Sequence, residues 1–493
     1  MELKSILKGL KFRAKAGISG LSIKSVSCDS RSVGPGGLFV AVRGYSQDGH
    51  KFIDTAIKNG AKVVVAEDDF IAPEGIVKIL TSDTRSALAV IADNFYGHPS
   101  MKLKMVGITG TNGKTTITYI IESIINSLGK HAGVIGTINY RLKGKVLRSK
   151  NTTPGPLELQ AMLSEMVRGG IGYSVMEVSS HSLDQGRVDR VLFDVGIFTN
   201  ITSDHMDYHK TKSSYFKAKK KLFNKLKKSG IAVLNADDKK VALLKRSLRK
   251  KVVTYGIKNK ADVSARDVKL SMHGTSFTVR TSKGEFAIRT KLIGMHNVSN
   301  ILASVAAALS LGIKKDAIVK GIEAVSSVPG RLEGVDAGQP FKVFVDYAHT
   351  EDALYNILSL LRQVARNRIV TVFGCGGNRD RTKRPIMGRV ACEFSDHVII
   401  TSDNPRFEEP RSIIEEIELG VKGAFSNYDV VSDRREAIGK ALRSAAKDDI
   451  VVIAGKGHED YQIIKDKVMP FDDREVARNI LKQSQNAKVK SQK

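Results

Sequence analysis

Met105-Val-Gly-Ile-Thr-Gly-Thr-Asn-Gly-Lys-Thr-Thr116 is the stretch of sequence that decides the fold. The residues before Gly110 are mostly apolar or β-branched and predict a buried strand, and the glycines that follow predict a tight loop. Beyond the loop, apolar residues recur at helical spacing until Gly129 ends the pattern; they are Ile117, Ile120, Ile121, Ile124, Ile125 and Leu128. A glycine loop between a strand and a helix N-terminus binds anions, because its backbone N–H groups face the phosphates. In such a loop Lys114 can reach the outer phosphate oxygens and Thr115 can bind Mg²⁺, although a strict Walker A motif needs a glycine where Ile108 stands.

The segments around this loop predict the domain organisation. Strand-like runs alternate with helical patterns from about residue 101 to 328, which predicts an α/β domain with a largely parallel sheet. Turn residues at Tyr96–Pro99 and Val328–Gly330 predict boundaries, so the predicted domains span residues 1–100, 101–328 and 329–493.

The third predicted domain contains four strand-like runs that each lead into a polar or glycine-rich loop. The runs are Val343–Asp346, Ile369–Phe373, His397–Thr401 and Ile450–Ile453. Because ligands collect beyond the carboxyl ends of the strands in open α/β sheets, these four loops predict one composite binding site.

Composition excludes several classes of protein. The chain has 493 residues, of which 42% are hydrophobic, which is ample for large cores and too much for a disordered or collagen-like chain. Its three cysteines fit neither a disulfide framework nor a zinc site, and its apolar runs are too short to span a bilayer. We therefore expect a cytoplasmic protein with no membrane insertion.

The chain is strongly basic, with 79 Lys and Arg against 51 Asp and Glu, so that the net charge is 79 − 51 = +28. This charge indicates an acidic small molecule, a nucleic acid or an anionic surface as a partner, and charge alone does not choose among them. Lysines concentrate in residues 141–150, 217–228 and 239–251 and in the tail after Glu475. Solvated helix faces and a frayed tail are the ordinary explanation for all but the second of these segments.

Three further residues are candidates for chemistry. Glu177 and His205 each follow a predicted strand, where either residue can ligate a hard cation or serve as a core or capping group. On a helical wheel drawn from Tyr215 to Lys228, Lys219 falls in the middle of the apolar face. A lysine forced into a low dielectric has a depressed pKa, and its neutral amine can be a nucleophile, a base or the site of CO₂ addition. The alternative is a lysine that buries its stem and lifts its ammonium to the surface.

A set of motifs extends in order along most of the chain: GTNGKTT, NTTP, MEVSSH, TNITSDHMDYH, YFKAKKKLF, LNADD, GMHNVSN, VPGRLE, VDYAHT, FGCGGNRDRTKRPIMG, DNPR and GKGHEDYQ. In this order they resemble the Mur ligases of peptidoglycan synthesis, which are three-domain, ATP-dependent enzymes that form amide bonds. The resemblance implies a small N-terminal α/β domain that binds UDP, a central P-loop ATPase domain with a mostly parallel sheet, and a C-terminal Rossmann-like α/β domain that binds the amino acid. One departure is Glu351, where the family usually has proline after VDYAHT.

The resemblance also implies a reaction. It is the ATP-dependent addition of meso-2,6-diaminopimelate to the D-Glu γ-carboxylate of UDP-N-acetylmuramoyl-L-alanyl-D-glutamate, through an acyl phosphate and with release of ADP and phosphate. The implied cofactor is Mg²⁺, at two sites, and ATP is a co-substrate. We expect a monomer.

Site residues are carried over from the family by motif. The implied catalytic residues are Lys114, Lys219 and His205. The implied magnesium ligands are Thr115, Glu177, His205 and Lys219, the last as a carbamate. ATP binding is assigned to Gly110, Thr111, Asn112, Gly113, Lys114, Thr115, Thr116, His296, Asn297, Asn300, Arg331, Asp346 and His349. Binding of the UDP-sugar peptide is assigned to Ser30, His50, Asn151, Thr152, Thr153, Ser179, Gln185 and Arg187. The amino-acid pocket is assigned to Arg379, Asp403, Asn404, Arg406, Gly455 and Glu459.

Three alternatives stay open at this point. A lysine-adding ligase or a folylpolyglutamate synthetase-like ligase would use similar ATP and Mg²⁺ machinery, although the DSR, DGH and NTTP motifs favour a UDP-sugar and DNPR favours diaminopimelate. A nucleic-acid-binding P-loop ATPase would also explain the charge. We expect no nucleic-acid partner, because no basic run is interleaved with aromatic residues.

Overall fold

The computed structural model describes residues 1–14, 18–44, 47–202 and 204–491. The chain forms two compact units. The first unit comprises Met1–Ile201, His209–Val263 and Leu302–Gly321, and the second comprises Thr202–Tyr208, Ser264–Ile301 and the chain from Ile322 onward. The predicted domain boundaries near residues 100 and 328 stay a prediction.

The strands, in chain order, are β1 (Arg13–Ala14), β2 (Val26–Ser27), β3 (Gly37–Val40), β4 (Ala61–Ala66), β5 (Val77–Leu80), β6 (Lys104–Thr109), β7 (Ala132–Ile135), β8 (Asn139–Leu142), β9 (Lys145–Arg148), β10 (Tyr173–Glu177), β11 (Phe193–Phe198), β12 (Leu226–Asn235), β13 (Lys251–Gly256), β14 (Val263–Ser271), β15 (Gly274–Thr281), β16 (Gly284–Thr290), β17 (Glu333–Gly334), β18 (Lys342–Asp346), β19 (Ile369–Phe373), β20 (His397–Ile400), β21 (Tyr428–Val430), β22 (Ile450–Ala454), β23 (Tyr461–Ile464) and β24 (Lys467–Pro470).

The α-helices are α1 (Leu3–Ile6), α2 (Ile53–Lys58), α3 (Thr84–Phe95), α4 (Pro99–Lys102), α5 (Lys114–Asn126), α6 (Pro156–Arg168), α7 (Ser180–Asp184), α8 (Met206–His209), α9 (Lys212–Lys220), α10 (Lys239–Leu243), α11 (Met295–Ser310), α12 (Lys315–Glu323), α13 (Glu351–Val364), α14 (Lys383–Phe394), α15 (Pro410–Glu418), α16 (Arg434–Ser444) and α17 (Asp473–Ser491). Short 3₁₀ helices span Ser30–Ser32, Gly49–Phe52, Lys221–Lys225 and Leu244–Arg246. Within the described ranges, no helix combines the length and the apolar character needed to cross a bilayer.

The first unit contains two sheets. The smaller one has the order β1-β5-β4-β3-β2, and all its pairs are parallel except β1–β5. In the larger one, β6 lies between β10 and β11, and the neighbours β13-β12-β11-β6-β10-β7 are all parallel. Val106, Val175 and Ile197 are fully buried, as expected for strands covered on both faces. The predicted parallel sheet is confirmed.

The second unit contains a sheet of order β17-β18-β22-β19-β20-β21, in which only β17 is antiparallel to its neighbour. The four strand-like runs predicted for this region are β18, β19, β20 and β22, and they lie side by side. Their carboxyl ends therefore share one edge of the sheet, as the sequence indicated.

The lysine-rich segment after Tyr215 differs from the single helix drawn on the helical wheel. Helix α9 ends at Lys220, a 3₁₀ helix follows, and Leu226 already begins β12. The chain leaves the helix because Leu226 joins the sheet beside Phe193 of β11. The prediction that Lys219 lies on the buried face is nevertheless confirmed, since its exposed fraction is 2%.

Candidate active site

The glycine loop is fixed by the end of the neighbouring strand. β6 ends at Thr109, and Gly110 (φ 144°) and Gly113 (φ 91°) turn the chain into α5. A Cβ on Gly110 would collide with Thr199 Oγ1, so only glycine fits there. Thr111 N donates to Asn200 O (3.0 Å), Asn112 N donates to Asn200 Oδ1 (2.9 Å), and Thr199 Oγ1 donates to Asn112 O (2.6 Å). The loop is thus held in one conformation by residues that follow β11.

Lys114 and the first turn of α5 complete the loop. Lys114 Nζ donates to Gly110 O (3.0 Å) and Thr111 O (2.8 Å), so its ammonium lies over the loop. Thr115 and Thr116 are buried at the start of the helix. A polyanion is favoured at this place by the Lys114 ammonium, the N-terminus of α5 and the backbone N–H groups of the loop.

Glu177 ends β10 and is the centre of a buried hydrogen-bond cluster. It accepts from Thr115 Oγ1 (3.0 Å), from Thr137 N (2.9 Å) at Oε1 and from Thr137 Oγ1 (2.9 Å) at Oε2. Only 1% of Glu177 is exposed. A buried carboxylate next to a threonine hydroxyl offers hard oxygen donors beside the phosphate loop.

Lys219 reaches the same loop from α9. Its Nζ donates to Gly110 O at 2.7 Å and lies 4.4 Å from the centre of the Tyr215 ring. The phenol oxygen of Tyr215 is in turn 3.3 Å from Thr111 Oγ1. The structure therefore brings Lys219 to the carboxyl edge of the sheet, where Thr115 and Glu177 also lie, rather than to the protein surface.

The residues assigned to the peptide arm of the UDP substrate lie together beside Glu177. Thr153 Oγ1 donates to Glu177 O (2.9 Å) and accepts from Ser179 N (3.2 Å). Arg187 donates to Thr153 O (3.0 Å) and to Gln185 Oε1 (2.9 Å). Thr152 joins the same cluster through Thr137, because Thr152 Oγ1 lies 3.1 Å from Thr137 Oγ1, and the preceding Asn151 accepts from the Tyr140 hydroxyl at its carbonyl oxygen.

Ser30 and His50 lie in the N-terminal part of the first unit. Ser30 is buried in the 3₁₀ helix after β2. His50 Nε2 accepts from Glu67 N (2.9 Å), which leaves Nδ1 as the donor to Asp48 Oδ1 (2.7 Å). Both ring nitrogens are thus used within the fold, and the backbone N–H of His50 also donates to Asp48 Oδ1 (3.1 Å). A cavity of about 480 Å³ near this region is lined by Gln185, Arg43 and Arg85, among others.

The second unit carries the residues assigned to the far side of ATP. Asn297 and Asn300 lie in the first turns of α11, where Asn297 Nδ2 donates to Ile293 O (2.9 Å) and Asn300 Nδ2 donates to Asn297 Oδ1 (3.1 Å). His296 precedes them on the same helix. Asp346 ends β18, accepts from Leu332 N (2.6 Å) and is buried, and this burial raises its pKa to about 6. The guanidinium of Arg331 and the ring of His349 both lie close to the Tyr347 ring, at 5.0 and 4.5 Å.

His205 also belongs to the second unit, with a left-handed backbone (φ 55°) and its Nε2 3.4 Å from Asp204 Oδ2. Thr115, Glu177 and Lys219 belong to the first unit. The role of His205 as a fourth magnesium ligand stays a prediction.

The residues assigned to the amino-acid pocket lie in the loops after β19, β20 and β22. Asn404 Nδ2 donates to Glu459 Oε2 (2.8 Å), and Gln462 Nε2 donates to Asp403 O (2.7 Å). Gly455 (φ 113°) passes close to Asp403, because a Cβ there would lie 2.7 Å from Asp403 Oδ2. Arg379 lies in the loop after β19 and is exposed.

Arg406 is held by a backbone hydrogen bond to β23 and by a side-chain hydrogen bond to the loop after β19. Its N–H donates to Ile463 O (3.0 Å), its φ is 54°, and Nη1 donates to Gly377 O (2.8 Å). Glu408 forms its ion pairs with Arg381 and Arg384, both at 2.9 Å, rather than with Arg406. The Arg406 guanidinium is therefore oriented by a neutral carbonyl and keeps its charge for a ligand.

Lys456 contacts two of these assigned residues, and the sequence did not reveal it. Its side chain is fully buried, and its Nζ donates to Asn404 Oδ1 (3.1 Å) and Glu459 Oε2 (3.3 Å). Burial and the nearby Asp403 raise the pKa of Glu459, and Lys456 and Asn404 oppose that shift. Thr137, Thr199 and Asn200 were missed as well. Thr199 and Asn200 could have been found from the sequence, since they directly follow β11, the strand that neighbours β6.

The donor set around Glu177 fits Mg²⁺. This ion prefers oxygen ligands and is usually bound by one or two carboxylates together with substrate phosphates and water. Thr115 and Glu177 supply such oxygens beside the phosphate loop. In the described part of the chain, no group of three or more His, Cys, Asp or Glu side chains is arranged to hold a metal ion.

Three family models match the chain. They are "Mur ligase family, catalytic domain" over residues 22–96, "Mur ligase middle domain" over 108–308, and "Mur ligase, glutamate ligase domain" over 330–457. The α/β fold class and the three family domains implied by the resemblance are thereby confirmed.

Similar proteins bear related names. A protein of Caldanaerobacter subterraneus subsp. tengcongensis named UDP-N-acetylmuramoyl-L-alanyl-D-glutamate--2,6-diaminopimelate ligase is 45% identical over 485 residues, which is 98% of this chain and all of that one. A protein of the same name from Geobacillus thermodenitrificans is 45% identical over 94% of this chain and 95% of its own. A solved structure of that name superposes with a TM-score of 0.71 at 33% identity, over 98% of this chain and 99% of the other. The MurF ligase of Thermotoga maritima in complex with ADP shares the fold, with a TM-score of 0.65 at 20% identity over 95% of this chain and all of the other.

With family models matched from residue 22 to residue 457 and relatives 45% identical over nearly its whole length, the chain belongs to the Mur ligase family, a family of ATP-dependent ligases.

Proposed function

We propose that the protein joins meso-2,6-diaminopimelate to the D-Glu γ-carboxylate of UDP-N-acetylmuramoyl-L-alanyl-D-glutamate and converts ATP to ADP and phosphate. The observation that carries this proposal is the coexistence of a rigid phosphate loop in the first unit with a pocket built around Arg406 in the second. The loop provides activation, and a positioned guanidinium suits an amino acid that has a second carboxylate. The relatives named above support the same reaction.

Activation of the carboxylate needs positioning and charge neutralisation more than covalent chemistry. The backbone N–H groups of the glycine loop and the Lys114 ammonium hold the β- and γ-phosphates of ATP. The γ-carboxylate attacks the γ-phosphorus, ADP leaves, and an acyl phosphate forms. Arg187, Ser179 and Thr153 hold the peptide arm of the UDP substrate so that its terminal carboxylate faces the loop.

Thr115 and Glu177 are the residues that would hold Mg²⁺, with His205 and a modified Lys219 as the further ligands. When bound, Mg²⁺ supplies positive charge to the phosphate oxygens. A second Mg²⁺ site is part of the proposal.

We include a carbamate on Lys219 in this proposal. The ammonium loses one proton, the neutral amine then adds to CO₂ with release of a second proton, and the cation thereby becomes an anion with two oxygen donors. An unmodified ammonium at this buried position would repel a metal ion beside Glu177, whereas a carbamate would complement it.

The amino-acid pocket then delivers the nucleophile. Asn404, Asp403 and Glu459 suit the charged amino-acid end of the substrate, and Arg406 binds the distal carboxylate that lysine lacks. The amine attacks the acyl carbon, phosphate leaves, and the amine loses a proton. A cytoplasmic location and a monomeric state stay predictions.

The experiment is phosphate release from ATP with UDP-N-acetylmuramoyl-L-alanyl-D-glutamate and a panel of amino acids. We expect release that requires both the UDP-dipeptide and meso-diaminopimelate, with L-lysine as a poor substrate. Preference for lysine would favour the lysine-adding reaction. Release stimulated by RNA or DNA in the absence of the UDP-dipeptide would favour the nucleic-acid-dependent ATPase.

A further inference from the structure

The first unit contains two lysine-rich segments, and Lys219 is the one residue of these segments that has a part in the proposed reaction. Residues 217–228 contain seven lysines among twelve residues, and residues 239–251 contain seven lysines and arginines among thirteen, with no acidic residue in either segment. Together they supply half of the net charge of +28. The proposed substrates bind elsewhere and do not account for this concentration.

The fold gathers part of both segments at the amino-terminal edge of the large parallel sheet. Lys104 begins β6, Lys227 and Lys228 lie at the start of β12, and Lys251 begins β13. Contacts link these positions into one row. Lys227 Nζ donates to Leu103 O (2.9 Å) and Asp194 Oδ2 (2.7 Å), Lys104 Nζ lies 3.6 Å from Asp194 Oδ1, and Lys250 Nζ donates to Lys227 O (2.8 Å). We call this row, with the crossover residues 245–249, the basic edge.

Several cations of the basic edge are available to a partner. Lys228, Arg246, Arg249 and Lys251 are exposed, and none of the ion pairs found in the described part of the chain involves them. Asp194, the carboxylate in the row, already accepts from Lys227 and from Met105 N (2.8 Å). The basic edge therefore presents uncompensated positive charge.

The helix that leads into the crossover residues, α10, carries an exposed apolar side chain. Leu243, at the end of α10, is 59% exposed. The exposed Lys239 and Lys240 precede it by four and three residues, and the exposed Arg246 follows it by three. Cations that surround a protruding leucine suit a lipid surface, where headgroups attract the charge and the leucine enters the interface. Single-stranded nucleic acid is usually bound by aromatic stacking, and residues 224–251 contain no aromatic residue or histidine.

We propose that the basic edge docks on an anionic phospholipid bilayer as a peripheral, reversible contact. The phosphate loop follows the opposite, carboxyl end of β6, which is six residues long, so roughly 17 Å of strand separates it from the basic edge. Docking through the amino edge therefore leaves the phosphate loop open to its substrates. This contact goes beyond the proposed reaction and does not depend on it.

The test is co-sedimentation of the whole protein with vesicles of phosphatidylcholine alone or mixed equally with phosphatidylglycerol. Each exposed cation near such a surface contributes about fivefold to binding, so Lys228→Gln/Arg246→Gln/Arg249→Gln/Lys251→Gln should weaken binding to the mixed vesicles by at least about 100-fold. The matched control is Lys269→Gln/Lys283→Gln/Lys314→Gln/Lys422→Gln, which removes four exposed lysines from other surfaces and should retain binding within a few-fold. Thermal unfolding and ATP turnover should be unchanged in both variants, which establishes that they are folded.

Leu243→Gln distinguishes lipid from RNA as the partner. It should weaken vesicle binding several-fold and leave any binding of an RNA oligonucleotide unchanged. Binding should also decrease between about 0.1 M and about 1 M salt, where the screening length falls from roughly 10 to 3 Å. The proposal is overturned if the parent protein does not prefer the anionic vesicles, if the control variant loses as much binding as the basic-edge variant, or if the protein binds RNA more tightly than the vesicles while Leu243→Gln has no effect.

Discussion

Replacement of Lys456 by methionine tests whether the amino-acid pocket is held together electrostatically. Methionine has a similar length and keeps the apolar stem, but it removes the ammonium that donates to Asn404 Oδ1 and Glu459 Oε2. The side chain is fully buried, so water cannot replace the lost donor without rearrangement. Among the described side chains, Glu459 then keeps Asn404 as its remaining hydrogen-bond partner, near the repelling Asp403.

The expected loss of stability follows from those two contacts. Hydrogen bonds to charged groups contribute roughly 1.5–3 kcal/mol each, and removal of one partner of a buried ion pair costs about 3–5 kcal/mol. Glu459 retains some exposure, with 16% of its side chain accessible, so we expect the lower end, about 3 kcal/mol at pH 8. The loss of Lys456 raises the pKa of Glu459 further. The deficit should therefore shrink as the pH falls and Glu459 protonates in the folded state.

The measurement is urea unfolding of the parent and of Lys456→Met at pH 8 and pH 5, with Lys467→Met, an exposed lysine on β24, as the control. The KM for diaminopimelate should also rise, because Asn404 and Glu459 lose their fixed orientation. A deficit below about 1 kcal/mol, or one that is equal at both pH values, would refute the electrostatic role of Lys456.

Four further outcomes are expected. Lys114→Ala should lower the ligation rate by about 10²–10³-fold, because it removes a charge that acts on phosphates, while equilibrium binding of the UDP-dipeptide changes by a few-fold at most. Lys219→Ala should be nearly inactive, and acetate or formate should restore part of the phosphate release by supplying the carboxylate oxygens; an active Mg²⁺-bound crystal with an unmodified Lys219 amine would reject the carbamate. Arg406→Ala should lower kcat/KM for diaminopimelate far more than for lysine, because the distal carboxylate loses its partner, and an equal loss for both substrates would contradict this role. Asp346→Asn should stabilise the protein above pH 6 by up to roughly 3 kcal/mol, because burial raises the pKa of the Asp346 carboxyl from 3.8 to about 6. The ionised carboxylate of the parent protein therefore costs stability as the pH rises from about 4 to 6 and above. The free energy of unfolding at pH 4 should hardly change.

Periodicity and turn residues were sufficient to predict the framework. The strand before Gly110, the helix after Gly113 and the four strands of the second unit each follow from local patterns, because a buried parallel strand is a short apolar run and a helix has a fixed period. The burial of Lys219 also followed from its position among apolar neighbours. The same wheel failed beyond Lys220, because it assumes one continuous helix and the chain there leaves the helix to join β12.

The sequence did not predict contacts made by residues distant along the chain. Thr137 lies in the turn between β7 and β8, and only the fold places its N–H and hydroxyl on Glu177. Lys456 resembles an ordinary lysine in a glycine-rich loop, and nothing local shows that it is fully buried against Asn404 and Glu459. These positions depend on which strands become neighbours, and single-residue patterns do not contain that information.

The phosphate loop and the proposed amino-acid pocket share one structural feature. In each, a carboxylate at or beyond the carboxyl end of a parallel strand lies close to a glycine that follows another strand of the same sheet: a Cβ on Gly136 would lie 2.6 Å from Glu177 Oε1, and one on Gly455 would lie 2.7 Å from Asp403 Oδ2. The absent side chain lets each carboxylate approach the neighbouring backbone, where side chains of other residues would force it outward. The side chain that each glycine lacks therefore helps to position the carboxylate, as do the hydrogen bonds of that carboxylate. This explains why both sites lie where glycine-containing strand ends meet, and why the motif around each carboxylate predicts its chemistry but not its exact place.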